Sequence, residues 1–207
     1  MFRDGDMQTG DKIVFGKYEW RVLDVQNNMG LILTENIIET RPYHNRYTDI
    51  TWADCTLRKY LNGAFYDQFN ENEKSQIIPV LNKNADNQWY NTNGGEDTED
   101  YIFLLSLEEA VCKYFGDSSA KLYKRNPKHK YWFESRDENN SKRGATFNGR
   151  ANSYWLRSPG RINAKAVYIK GNPSGCVGIQ GNNVLEGNVS ETDYFGGVRP
   201  ALWLKLN

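Results

Sequence analysis

The chain has 207 residues, and its 26 Lys plus Arg balance 26 Asp plus Glu, leaving a formal net charge of zero. Proteins that grip nucleic acid through its phosphates carry a basic excess on the binding face, so no nucleic-acid partner is expected. The three cysteines, Cys55, Cys112 and Cys176, lie far apart, which argues against a disulfide framework and against a cysteine-based zinc motif.

A chain of this length can bury about 70% of its unfolded surface, enough for one core without a covalent or metal staple. Aromatic residues make up 14% of the sequence, so the core is expected to rest on Trp, Tyr and Phe, with their hydroxyl and indole N–H groups reaching polar partners. The first residues, MFRDGDMQTGDK, lack an apolar signal region. No stretch approaches the roughly 18 apolar residues of a membrane span. The expectation is a soluble chain made in the cytoplasm, with export as part of a phage particle left open.

Along the chain, Ile13-Val14-Phe15, the run Trp20 to Val25 and Leu31-Ile32-Leu33 are β-rich. The turn signal Gln26-Asn27-Asn28 joins the last two as a hairpin. Thr51, in Thr51-Trp52-Ala53-Asp54, is expected to cap a helix with the apolar stripe Leu57, Tyr60, Leu61, Ala64, Phe65 and Phe69. Asn70 with Glu73 predicts a second helix that ends before Pro79. Tyr101 to Leu105 reads as a short buried strand. Ser106 and Glu109 then form the capping box of a third helix, with Leu107, Ala110, Val111 and Tyr114 on one face and Gly116 as its stop.

Two polar segments read as long surface loops. Residues 83–100 end in the acidic cluster Glu96, Asp97, Glu99 and Asp100, and residues 121–143 are basic. Cys55 and Cys112 fall on helical apolar stripes and read as buried free thiols. From Gly144 onward Gly and Asn are frequent, and short strands are expected at 154–156, 166–169, 177–179 and 198–206. No repeat and no linker divides the chain, so residues 1–207 are expected to form one α+β domain, with N- and C-terminal strands in a common sheet and two or three helices packed on it.

The chemistry-bearing residues do not cluster. His44 and His129 are isolated, and the acidic run lacks the glycine and terminal glutamate of an EF-hand loop. No G-x-S-x-G elbow or phosphate-cradling glycine motif is present. Cys176 sits in the turn Pro173-Ser174-Gly175-Cys176, where a thiol can be exposed, but no histidine stands beside it. Tyr123, Tyr131, Trp132 and Phe133 interleave the basic segment as in single-strand nucleic-acid grooves, an excess that the acidic segment offsets. No catalytic residue, metal or cofactor is therefore expected.

Recognition without chemistry remains. Strand alternation puts Val167 and Ile169 on one face and Tyr168 and Lys170 on the other; Val177 and Ile179 likewise oppose Gly178 and Gln180. With the apolar set inward, the candidate ligand contacts are Arg161, Asn163, Lys165, Tyr168, Lys170, Asn172, Ser174, Gly178, Gln180, Asn182 and Asn183. These residue types suit binding loops, since they join rigid contact area to adaptable hydrogen bonding. The same Asn and Gly also make plain turns, and the residues alone leave both readings open.

Several segments carry a resemblance: Gly10-Asp-Lys-Ile-Val-Phe-Gly16, Glu19-Trp-Arg-Val-Leu23, Thr51-Trp-Ala-Asp-Cys-Thr-Leu-Arg58, Tyr60-Leu-Asn62 and Ile102-Phe-Leu-Leu-Ser106. The most specific are Trp155-Leu-Arg-Ser-Pro-Gly160 and Gly197-Val-Arg-Pro-Ala-Leu-Trp203. Together they resemble uncharacterised domains of gut Firmicutes and their phages associated with the C-type-lectin-like fold. The resemblance implies antiparallel sheets, a loop-rich C-terminal half and kinship with the variable proteins of diversity-generating retroelements. In those, a C-terminal stretch bears ligand contacts on a fixed frame. Here the frame would be Trp155, Leu156, Arg157, Val198, Arg199, Pro200 and Trp203, and the partner an unidentified protein or glycan.

The fold is also similar to that of formylglycine-generating enzymes, whose chemistry uses a cysteine pair. Only Cys176 lies in the comparable region, so that activity is an alternative and not a carry-over. A structural particle module, packed as a homo-oligomer, is the other alternative. The calcium-dependent sugar motifs Glu-Pro-Asn and Gln-Pro-Asp are absent from the sequence.

Overall fold

Asn27 and Asn28 both take positive φ, 50° and 56°, the pair of left-handed residues that a type I′ hairpin turn requires. They join β2 (Tyr18–Gln26) to β3 (Met29–Thr34), and β1 (Lys12–Phe15) pairs antiparallel with β2. The computed structural model describes residues 5, 7–123, 138–171, 175–186 and 196–206.

Four short strands follow: β4 (Glu39–Thr40), β5 (Ile77–Ile78), β6 (Val80–Asn82) and β7 (Thr98–Asp100). The C-terminal half holds β8 (Thr146–Phe147), β9 (Arg150–Ala151), β10 (Tyr154–Pro159), β11 (Lys165–Ile169), β12 (Val177–Asn183), β13 (Gly197–Val198) and β14 (Ala201–Lys205). The first five-stranded sheet has the order β1-β2-β3-β14-β5, so the N- and C-terminal strands share it as expected. The second has the order β12-β11-β10-β13-β4. Pairing is mostly antiparallel, with β10 and β13 parallel. One cluster of buried apolar residues includes side chains of both sheets. The result is a mixed α+β architecture with few, short helices.

β13 and β14 lie in different sheets, yet only Arg199 and Pro200 separate them. Arg199 is 1% exposed. Its Nε donates to the Thr34 carbonyl at 2.8 Å and its Nη2 to the Glu35 carbonyl at 3.1 Å. Its Nη1 donates to the Arg143 carbonyl at 3.1 Å and to Tyr154 Oη at 3.3 Å. A buried guanidinium is tolerated only with such partners, so this residue ties the end of β3 to β10 and to the chain at Arg143.

The helices are capped locally, with one correction to the expected start. The cap of α1 (Thr56–Tyr60) is Cys55, whose Sγ accepts from Arg58 N at 3.3 Å. The Thr51 carbonyl instead closes the preceding turn, accepting from Asp54 N and Cys55 N. α1 runs into a π-helical stretch, Leu61–Phe65, with a kink at Gly63. Leu57, Leu61, Phe65 and Phe69 are buried, and Ala64 is exposed. The wider turn rotates less per residue, so four-residue spacing keeps one face and Ala64 swings out.

The capping box of α2 (Glu71–Lys74) forms as predicted: Glu73 N donates to Asn70 Oδ1 and Asn70 N to Glu73 Oε2. Ser106 and Glu109 exchange the same pair of bonds before a π-helical turn, Glu109–Lys113. Gly116 follows at φ 87°. A 3-10 turn, Tyr66–Gln68, and the short helices α3 (Ser119–Leu122) and α4 (Glu138–Arg143) complete the described helices.

Tyr101 to Leu105 is not a strand. Ile102 to Leu105 are buried, but only Phe103 bridges to Ala201, because β5 takes the same edge of β14 at Trp203 and Leu204.

Segment 83–100 is not a plain surface loop either. Asn87, Trp89, Thr92, Thr98 and Asp100 are buried, and β6 pairs with β7. Asp100 accepts from Arg58 Nε at 2.6 Å, Thr98 Oγ1 at 2.7 Å, Trp52 Nε1 at 3.0 Å and Asn82 Nδ2 at 3.0 Å. With Asn62 Nδ2 at 3.4 Å, the carboxylate thereby gathers five donors, from α1 and its approach, from the π-helical stretch and from the β6–β7 pair. In the basic segment, residues 124–137 lie outside the described part, and Arg143 is fully buried against Asp117, Asn140 and the Gly175 carbonyl.

Asp100→Ala takes an acceptor from five donors and removes the carboxylate that pairs with Arg58. It should cost about 3 kcal/mol in urea unfolding. Exposed Glu99→Ala should stay within about 0.5 kcal/mol. Equal effects would contradict the role given to Asp100.

Candidate functional site

The predicted alternation holds on the inner face of the second sheet. Val167, Ile169, Val177 and Ile179 are all 0% exposed. The residues expected to frame this region, Trp155, Leu156, Arg157, Val198, Arg199, Pro200 and Trp203, are buried as well.

The opposite face departs from expectation. Tyr168 is 5% exposed and lies directly across from Gly178, itself buried, and a Cβ at Gly178 would run into the tyrosine ring. Tyr168 and Gly178 are therefore enclosed and not displayed. Alternation separates two faces of a strand but does not say which meets water, and here the sheet is covered on both sides at its centre. Lys165, Lys170 and Gln180 are half-buried, and Lys170 sits at the far end of β11. Asn172 and Ser174 lie outside the described residues.

Arg161, Asn163, Asn182 and Asn183 do come together, at the end of the sheet where β10 turns into β11 and β12 ends. Arg161 N donates to the Gln180 carbonyl at 2.7 Å, and Val184 N to the Ala164 carbonyl at 3.2 Å. Two distant loops are tied to the same end. His44 N donates to the Val184 carbonyl at 2.9 Å, and Ile50 N to the Asn163 carbonyl at 3.2 Å. Thr92 Oγ1 donates to the Arg161 carbonyl at 2.9 Å, and Asn163 Nδ2 to the Asn93 carbonyl at 2.8 Å. Asn182 Nδ2 donates to Glu186 Oε2, and Asn183 Oδ1 accepts from Leu185 N.

These segments carry exposed apolar side chains that sequence reasoning missed: Tyr47 at 59%, Ile162 at 45% and Leu185 at 37%. In sequence each looks like a core residue, and no local signal marks it as outward.

Elsewhere, a concavity of about 540 Å³ opens between the segment at 83–88, residues 106–123 and β10. On its floor Arg157, 3% exposed, donates through Nη1 and Nη2 to the two carboxylate oxygens of Glu109 and through Nη1 to the Leu104 carbonyl. Burial pushes the Glu109 carboxyl up, but the Arg157 charge and hydrogen bonds outweigh it and hold the group below the usual carboxylate range. Asp117 behaves likewise: burial raises it, while hydrogen bonds from Arg143 and Lys121 bring it down. Ser158 Oγ accepts from Leu107 N at 2.9 Å. Asn87 donates to the Pro159 and Ile179 carbonyls and accepts from Trp89 N.

The thiols are quiet. Burial pushes Cys55 up to about 12 and raises Cys112, the opposite of an activated nucleophile. Cys176 is 1% exposed, with Asn140 Nδ2 at 3.8 Å from its sulfur. The exposed thiol that its glycine-rich turn suggested is thus buried. His44 Nδ1 accepts from Thr56 N at 3.3 Å. Among the described residues no group of three or more His, Cys, Asp and Glu could hold a metal ion, and no helix is long and apolar enough to cross a membrane.

Fold and site thus define an α+β domain, mostly antiparallel, with a loop-built surface at one end of its second sheet and a cleft beside β10. The family model described as "Domain of unknown function (DUF6273)" matches residues 27–206, and the chain belongs to that family. Neither the curated proteins nor the solved structures contain a match.

The Glu109 shift has a sign. A depressed carboxyl contributes stability that is complete above its unfolded value, about 4.3, and is lost as pH falls through the lower folded value. Glu109→Gln should cost about 3 kcal/mol at neutral pH, measured by chemical denaturation. The gap from the unmodified protein should narrow as the pH drops below about 4; a gap independent of pH would contradict the assignment.

Proposed function

We propose that this chain is a non-catalytic recognition domain on a C-type-lectin-like frame, similar to the variable proteins of diversity-generating retroelements, and that it binds its partner at the loop end of the second sheet. The single observation behind the reading is the convergence of residues 44–50, 92–95, 161–164 and 182–186 on one end of a buried frame. Rigid strands carrying adaptable loops are the arrangement in which binding residues are most often found.

The contact set is narrower than the alternation suggested. Tyr168 and Gly178 drop out because they are enclosed. Arg161, Asn163, Asn182 and Asn183 stay, and Tyr47, Ile162 and Leu185 join them. Of the two partner classes, a protein surface fits better than a glycan. Exposed Ile and Leu beside Tyr and Arg offer the desolvating anchors of protein interfaces, whereas a sugar would leave the aliphatic groups poorly covered.

Photo-crosslinking from single positions tests this in the native host. A crosslinker at position 162 or 185 should capture one discrete partner band. The same group at Val14 or Leu81, exposed apolar positions elsewhere at 73% and 64%, should not. Capture from positions 14 and 81 alone, or equally from all four, would overturn the assignment of the loop end.

A further inference from the structure

We infer that the cleft beside Arg157 is a second binding site, separate from the loop end, that takes an uncharged, hydroxyl-rich small molecule of mono- or disaccharide size. Its volume of about 540 Å³ falls within the range of roughly 300–1,000 Å³ usual for small-molecule sites.

Neutrality follows from the floor. The Arg157 charge is paired with Glu109 through its two terminal nitrogens, and the Asp117 charge with Arg143 and Lys121. A charged ligand entering a desolvated pocket needs an unpaired opposite charge, and the floor offers none among the described residues. The charges at the mouth, Lys83, Asp86, Glu108 and Lys113, are exposed, where water and salt screen them, and Lys83 is paired with Asp97.

The preference for hydroxyls follows from the polar groups that remain. Ser106 Oγ accepts from Glu109 N and Ser158 Oγ from Leu107 N. A hydroxyl that accepts still has its own proton to give, so the floor supplies donors of fixed position. The mouth supplies carboxylate acceptors in Asp86 and Glu108. Hydroxyl groups both accept and donate, and so complement the two together. Leu107 and Tyr123 add apolar surface for the C–H face of a ring. None of these groups contributes to the loop end, so either site can fail without the other.

Titration calorimetry of the full chain with glucose, galactose, N-acetylglucosamine, maltose and N-acetyllactosamine tests the site, with inorganic phosphate and choline as charged probes. At least one sugar should bind saturably. Ala85→Trp and Ser119→Trp, which fill the cleft from exposed positions, should each weaken it by about tenfold or more, roughly 1.4 kcal/mol. Ile162→Asp at the loop end should leave it unchanged. No saturable sugar binding, binding that survives both tryptophans, or tighter binding of phosphate or choline than of every sugar would overturn the inference.

Discussion

The rest of the structure depends on a buried cation that has no carboxylate partner among the described residues. Arg199 stands at the point where the chain leaves the second sheet at β13 and enters the first at β14, and its guanidinium is satisfied by three backbone carbonyls and the Tyr154 hydroxyl. A charge taken out of water costs several kcal/mol unless every donor finds an acceptor. The acceptors come from the end of β3, from Arg143 and from β10, so these segments must arrive together or not at all. Tyr154 closes the set by donating to the Arg143 carbonyl at 2.8 Å while its ring lies beside the Arg199 cation.

β10 inherits that fixity and passes it outward. All six of its residues are buried. Trp155 Nε1 donates to the Arg41 carbonyl, Tyr43 Oη donates to the Arg157 carbonyl, and the Arg157 side chain reaches across to Glu109. A strand pinned this densely holds two different surfaces in place. At its end the turn through Arg161 and Ile162 projects the loop surface, and along its flank Arg157 and Ser158 form the floor of the cleft. The frame decides where both surfaces stand.

Where one local rule governs, the sequence is legible. Two left-handed asparagines make the first hairpin, reciprocal capping bonds start the helices at Asn70 and Ser106, and alternation identifies the inward faces of β11 and β12. Legibility ends where tertiary context chooses between equals. Asp100 looks like one more member of an acidic surface run, yet its carboxylate is buried and meets Arg58, Trp52 and Asn82. Tyr168 has the pattern of an outward residue, but the sheet is covered on that side too. Thr51 and Cys55 both offer side chains able to cap α1, and only the path of the preceding turn selects Cys55. The cleft and the loop end draw on segments tens of residues apart, and no window of sequence contains either.

Hydrogen exchange on the Arg199→Met variant addresses the central claim most directly. If Arg199 couples the two sheets into one frame, amides of the β3–β14 ladder and of the β10–β11 ladder should share one high protection level in the unmodified protein and fall together in the variant, with the loop-end amides exchanging faster throughout. Loss of protection in one ladder while the other keeps its own would show two independently stable sheets and remove the fixed frame on which both surfaces rest.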